Sequence, residues 1–184
     1  DLPQLVELNR TSNDVQRSVL AEKFSSHRKQ AVELLHKELT RTCPENEPDE
    51  KRSALAREQT SAAMMLMLLG EPQRVWPLLA QIQNPQLRTC LIHALAPAGV
   101  DPGVLLERVR SETDPILRIA VVSSLGEYRN SPLLTKRQRE ALVPGLLKTF
   151  ESDPHPGVHS ASEWLLRQLG QTGRIVEAER RLQE

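Results

Sequence analysis

The chain has 184 residues, and its 24 Lys+Arg balance 24 Asp+Glu, so the formal net charge is zero. That balance argues against wholesale binding to nucleic acid or to an anionic membrane, either of which needs a basic surplus on some face. Only 3% of residues are aromatic while Leu and Ala abound, which suits helices packed through aliphatic side chains and suits strands poorly.

The opening stretch DLPQLVEL has no methionine and neither the basic nor the apolar region of a signal peptide. With a chain that stops at Glu184 in mid-helix pattern, it reads as a piece of a longer protein. Ser26 to Thr42 patterns as a strong helix with Ala31, Leu34, Leu35 and Leu39 on one face, flanked by His27 and His36, which are expected to face solvent. CPENEPDE, residues 43–50, is an acidic, proline-containing loop. Lys51 to Leu69 predicts a long helix closed by Gly70, a favourable residue just past a helix end. Its run from Ala62 to Leu69 is the longest apolar stretch and falls well short of the roughly 20 residues a membrane span needs. Met64, Met65 and Met67 in that helix could line an adaptable partner groove; packing between repeats is the stronger reading, because the helix must bury a wide apolar face. Pro72 to Gln83 predicts a further helix carrying Val75, Leu78, Leu79 and Ile82.

From residue 84 the chain repeats itself. Pro85, Pro115 and Pro156 open the segments PQLRTCLIHALA, PILRIAVVSSLG and PGVHSASEWLLR. Two residues on stand Leu87, Leu117 and Val158; five on, Cys90, Ala120 and Ala161; ten on, Leu95, Leu125 and Leu166. Apolar offsets of two, five, six, nine and ten trace one face of an α-helix. Asn84 and Asp114 are N-caps before a proline at the first helical position. Asp101-Pro102 begins another helix that runs to about Glu112. Residues 128–136 form an insertion that lengthens the second repeat step. Thr135 opens a polar turn leading to Leu142, Leu146, Leu147 and Phe150, in a helix that Pro144 is expected to break or restart. No stretch alternates with period two for long enough to form a strand. The expected fold is all-α, a short α-solenoid of stacked HEAT-like helix pairs forming a single domain over 1–184. Within it, 1–50 holds N-terminal helices and the acidic loop, 51–170 the repeats, and 171–184 a C-terminal capping or linker helix.

Glu58–Gly70, Val75–Leu79, Leu91–Pro97, Gly99–Pro102, Ser124–Glu127, Leu142–Pro144 and Asp153–Arg167 together resemble a bacterial HEAT-like segment of large multidomain proteins. Such segments often stand between a serine/threonine-kinase-type domain and a formylglycine-generating-enzyme-like (sulfatase-modifying-factor) domain. The resemblance spans roughly residues 28–170 and contains no catalytic motif. Ser160 and Ser162 stand where a smaller Gly or Ala is expected. It implies that any catalytic domains lie outside this chain.

Candidate chemistry is sparse. His159 and Glu163 are four apart, the spacing of a metal-binding helix face. Zinc wants three or four ligands, His155 is the one nearby third, and it lies in the loop before the helix. His159 instead occupies the position of Arg88 and Arg118 in the other repeats, so the pair reads as a helix-face contact, and no metal or cofactor is expected. Arg88, Arg118 and His159 are the candidate partner-binding residues, a ridge that could meet acidic groups. The competing reading gives the arginines structural ion pairs to Glu107, Glu112 or Asp114. His93 reads as a core or groove-lining residue and Cys90 as a buried packing thiol; Cys43 and Cys90 are too few for a disulfide framework and suit reduced thiols in the cytoplasm. Lys136, Arg137 and Arg139 form a small basic cluster without neighbouring aromatics to stack bases. The expected role is a non-catalytic scaffold that binds protein or orients flanking domains of a larger chain, with no membrane partner. The alternatives are a HEAT-like nucleic-acid-binding module, and a regulatory domain of an adjoining formylglycine-generating-type enzyme.

Overall fold

A computed structural model of the chain describes residues 1–44 and 46–183, the last as backbone only. Glu45, within the predicted acidic loop, and Glu184 lie outside the described residues. Those residues form eleven α-helices, one 3₁₀ turn and no strand, so the fold is all-α. The helices gather into two compact units, Asp1–Val100 and the rest of the chain from Asp101.

The first unit holds α1 (Leu2–Thr11), α2 (Asp14–Ser25), α3 (Arg28–Leu39), α4 (Asp49–Leu68), α5 (Trp76–Ala80) and α6 (Pro85–Ala94). At its centre is α4, packed against α1, α2, α3 and α6. Its residues 59–67 are all buried, and Met64 and Met65 are wholly inaccessible, so the methionines fill the core. A helix apolar on all sides has to be surrounded by others. Its polar members are satisfied: the Gln59 amide donates to the carbonyls of Leu39 and Arg41 at 2.8 and 2.9 Å, and the Thr60 hydroxyl to that of Ala56 at 2.7 Å. Gln59 thereby ties the C-terminal end of α3 to α4. Gly70, at φ 76°, closes α4; its N–H bonds to Met67 O and that of Glu71 to Leu66 O. Ala31, Val32, Leu35 and Leu39 form the buried face of α3, with Leu34 half-exposed.

Two prolines reshape the segment predicted as one helix over 72–83. Pro72–Arg74 is a 3₁₀ turn, and α5 starts afresh at Trp76 and ends at Ala80. Pro77 has no N–H to donate and fits only in a first turn, so the helix has to begin immediately before it. Val75 and Leu79 are buried, but Ile82 lies beyond the helix end and is 64% exposed.

The second unit holds α7 (Pro102–Ser111), α8 (Pro115–Glu127), α9 (Lys136–Ser152), α10 (Pro156–Gln168) and α11 (Thr172–Gln183). Helices α7 and α8 pack as a pair, α9 and α10 as another; α8 packs against α10, and α11 against α9 and α10 through Ile175 and Ala178. Thr135 is the N-cap of α9 rather than a turn leading to it: its hydroxyl accepts the Gln138 N–H, and the Gln138 side chain accepts the Thr135 N–H. Pro144 does not interrupt α9. It stands on the exposed face, where water can reach the carbonyl that its missing N–H leaves without a helical donor.

The repeat register holds in all three proline-led helices. Offsets two, six and ten are buried throughout: Leu87, Leu91 and Leu95; Leu117, Val121 and Leu125; Val158, Ser162 and Leu166. The caps are as expected, with Asn84 Oδ1 accepting the Leu87 N–H and Asp114 Oδ1 the Ile116 and Leu117 N–H groups. At offset five, Ala120 is buried but Cys90 and Ala161 are only half-buried, so Cys90 is a packing thiol at the edge of its helix contact.

Candidate functional site

Each arginine of the proposed ridge is engaged within its own unit. Arg88, half-buried on α6, donates from Nε to the Leu79 carbonyl of α5 at 2.9 Å. Arg118, on α8, pairs with Asp153 at 2.6 Å. Its partner is thus none of Glu107, Glu112 and Asp114, but the carboxylate at the end of α9. The Asp153 side chain is 8% exposed. Burial alone would raise its carboxyl, but the His155 N–H bond at 3.0 Å and the Arg118 guanidinium hold it below the ordinary carboxylate range.

His155, placed in the loop by its sequence position, is the N-cap of α10. Its Nδ1 accepts the Gly157 N–H at 3.2 Å, which requires that nitrogen to be unprotonated. His159, one turn on, lies with its ring centroid 4.5 Å from that of Phe150 on α9, tilted by 35°. Glu163 does not pair with it: the carboxylate accepts Nε and Nη2 of Arg167 at 2.9 and 2.6 Å. The helix-face contact expected between His159 and Glu163 is therefore two separate ones. Among the described residues no group of three His, Cys, Asp or Glu side chains is placed to hold a metal ion.

His93 is exposed, not core, because its position faces away from Leu91 and Leu95. His36 is half-buried rather than solvent-facing, and its Nδ1 has no hydrogen-bond partner among the described residues. In the basic cluster, Lys136 lies 3.8 Å from Glu140 and Arg139 donates to the Ser131 carbonyl at 2.9 Å, while Arg137 is exposed.

Two features escaped the sequence reading. The first is an acid three residues before each of two helix-opening prolines. Glu112 accepts the N–H groups of Thr113 and Asp114, both at 2.8 Å, and meets Arg108; Asp153 does the same service for His155. Burial pushes the Glu112 carboxyl up, but these two N–H bonds and Arg108 hold it below its ordinary value. The common spacing from Pro115 and Pro156 was the available signal. The second is a charge network in the first unit. Glu38 on α3 accepts Nε and Nη2 of Arg10 on α1, both at 3.0 Å, and Arg41 at 3.0 Å, while Arg41 also reaches Glu58 on α4 at 2.5 Å. Burial would raise the Glu38 carboxyl, but these bonds hold it low. Glu38 and Arg41 are three apart, a spacing the sequence does show, but Arg10 and Glu58 lie 28 and 17 residues from their partners, so nothing local announces the network as a whole.

Among the described residues no helix is long and apolar enough to cross a membrane. Compared with protein families, with curated proteins and with solved structures, the chain finds no match in any of the three.

Proposed function

We propose that the chain is a short HEAT-like α-solenoid segment without a catalytic centre of its own, a scaffold that binds protein or holds neighbouring domains in orientation. The carrying observation is the second unit's two successive helix pairs. Their second members, α8 and α10, pack together and bury the same register, Leu117–Val121–Leu125 and Val158–Ser162–Leu166. Stacked equivalent pairs are the building unit of solenoids, whose long continuous surfaces suit macromolecular partners. The side chains with catalytic potential support the same reading through what they do: His155 caps a helix, Asp153 and Glu112 organise turns, and Glu163 braces α10. Trp164 offers an anchor of the type enriched at binding hot spots; it stays 38% exposed on α10.

The test is affinity capture on the purified chain, identification of the retained protein, and calorimetry of that purified protein against the parent chain and Trp164→Ala. A saturable isotherm with the parent, weakened in the variant, supports the scaffold. An oligonucleotide bound more tightly than any protein replaces it with the nucleic-acid module. Turnover by the isolated chain removes it.

A further inference from the structure

The first unit contains an open groove of about 1050 Å³ between the start of α1, the end of α2 and the first turns of α3. Its floor includes Leu2, Leu5 and Leu34, all half-exposed. Its rim carries Lys23, His27 and Lys29, all exposed. Most arginines of this unit are neutralised inside it: Arg10, Arg17, Arg28, Arg41 and Arg74 all have carboxylate partners. Lys23 and Lys29 have no such partner among the described residues. Of the two acids on the groove, Glu33 is bound to Arg74 at 2.7 Å and Asp1 stands at the N-terminal end of α1. The first turn of α3 contains no acidic residue, and its N-cap, His27, makes no side-chain capping bond, so the positive end of that helix adds to the rim.

We propose that this groove docks an acidic amphipathic helix of a protein partner, its apolar stripe on Leu2, Leu5 and Leu34 and its carboxylates against Lys23 and Lys29. The proposal rests on the protein-interaction reading above and names the surface and the partner's chemistry. A helix laid in a groove is held through side chains at i, i+3, i+4 and i+7, which a groove open along one side accommodates. The uncompensated charge of the rim sets the sign of the flanking residues, because complementary charge governs specificity and on-rate.

The experiment is fluorescence polarisation on the full 184-residue chain with two labelled synthetic helices. Both carry leucines at the four stripe positions; one has glutamates on its flanks, the other lysines. The glutamate helix is expected to bind, and to bind more weakly as salt is added. The double variant Lys23→Glu/Lys29→Glu should weaken it on the order of tenfold or more and strengthen the lysine helix. A thermal melt checks that the variant folds. Equal binding of the two helices by the parent, or no response to the charge reversal in a folded variant, overturns the proposal. So does binding to phosphatidylserine–phosphatidylcholine vesicles without binding to the glutamate helix, which would assign the rim to a membrane surface. Undiminished capture of a protein partner by the double variant overturns the groove and leaves the scaffold reading standing.

Discussion

Arg118 on α8 and Asp153 at the end of α9 are 35 residues apart in sequence and 2.6 Å apart in space. The same aspartate accepts the His155 N–H, so a single carboxylate fixes α8, the last turn of α9 and the entry to α10. Removing Arg118 leaves that carboxylate nearly buried without its counter-ion, a more costly change than loss of an exposed pair. Arg118→Ala should destabilise by about 1–3 kcal/mol. Arg88→Ala, which loses one hydrogen bond to a carbonyl, should cost about 1 kcal/mol. Denaturant midpoints of the two variants check the order. Equal small losses with lost partner binding would return both arginines to the role of an interaction ridge.

Asp153, Glu112 and Glu38 are all held below the ordinary carboxylate range. A depressed folded-state value means that each contributes stability above the unfolded carboxylate pKa of roughly 4 and loses it as pH falls through the folded value. The variants Asp153→Asn, Glu112→Gln and Glu38→Gln should thus be less stable than the parent at neutral pH. The gap should stay constant down to about pH 5 and narrow below it. Urea midpoints measured from pH 7 to pH 3 check the sign; a gap that widens in acid would contradict it.

Leu95 and Leu125 hold the same repeat offset, and both are fully inaccessible. Truncating either to Ala should cost about 2–5 kcal/mol. Ser162 holds the offset of Leu91 and Val121; it too is fully buried, and its hydroxyl has no partner among the described residues. Ser162→Ala should therefore stabilise, by about 1 kcal/mol or more, because an unsatisfied buried hydroxyl bears its full desolvation cost. Thermal melts of the three variants would show two losses and one gain.

What the sequence announced here was local. Proline at the first helical position, an Asn or Asp before it and apolar offsets within ten residues are set by the helix itself, and Leu87, Leu117 and Val158 sit where those rules put them. The expectations that failed depend on what lies across a helix contact. His159 meets Phe150 because α9 packs against α10, and Arg118 meets Asp153 because the residue that follows α9 reaches back to α8; a single-chain periodicity does not contain either pairing. Prolines misled in both directions, since the ring at position 77 fixed a helix start and the one at 144 was tolerated inside a helix on its exposed side.

His155 caps α10 through a ring nitrogen, where Asn, Asp or Ser would be the common choice. His155→Ala should cost about 1 kcal/mol, and His155→Asn should restore most of it. If His155→Ala proved neutral in a denaturant melt, the Nδ1 bond would not be contributing to the helix start.

Gly126 and Gly145 both lie inside helices, so intrinsic propensity favours alanine at each by about 1 kcal/mol. Their surroundings differ. A Cβ at Gly145 would meet nothing within 4 Å, whereas one at Gly126 would fall well under 3.0 Å from the Trp164 ring. The tryptophan lies against the backbone of α8, and the missing side chain is what lets it do so. Gly145→Ala should therefore stabilise by about 0.5–1 kcal/mol. Gly126→Ala has to push a large, partly exposed ring off its seat, and overpacking of this kind costs about 1–3 kcal/mol, which outweighs the propensity gain. The mechanism makes a coupled prediction: with Trp164 first shortened to Ala, the same Gly126→Ala change should turn neutral or stabilising. A double-mutant cycle read by denaturant midpoints tests this. Additive effects of the two substitutions would mean that Gly126 is not there to seat the ring.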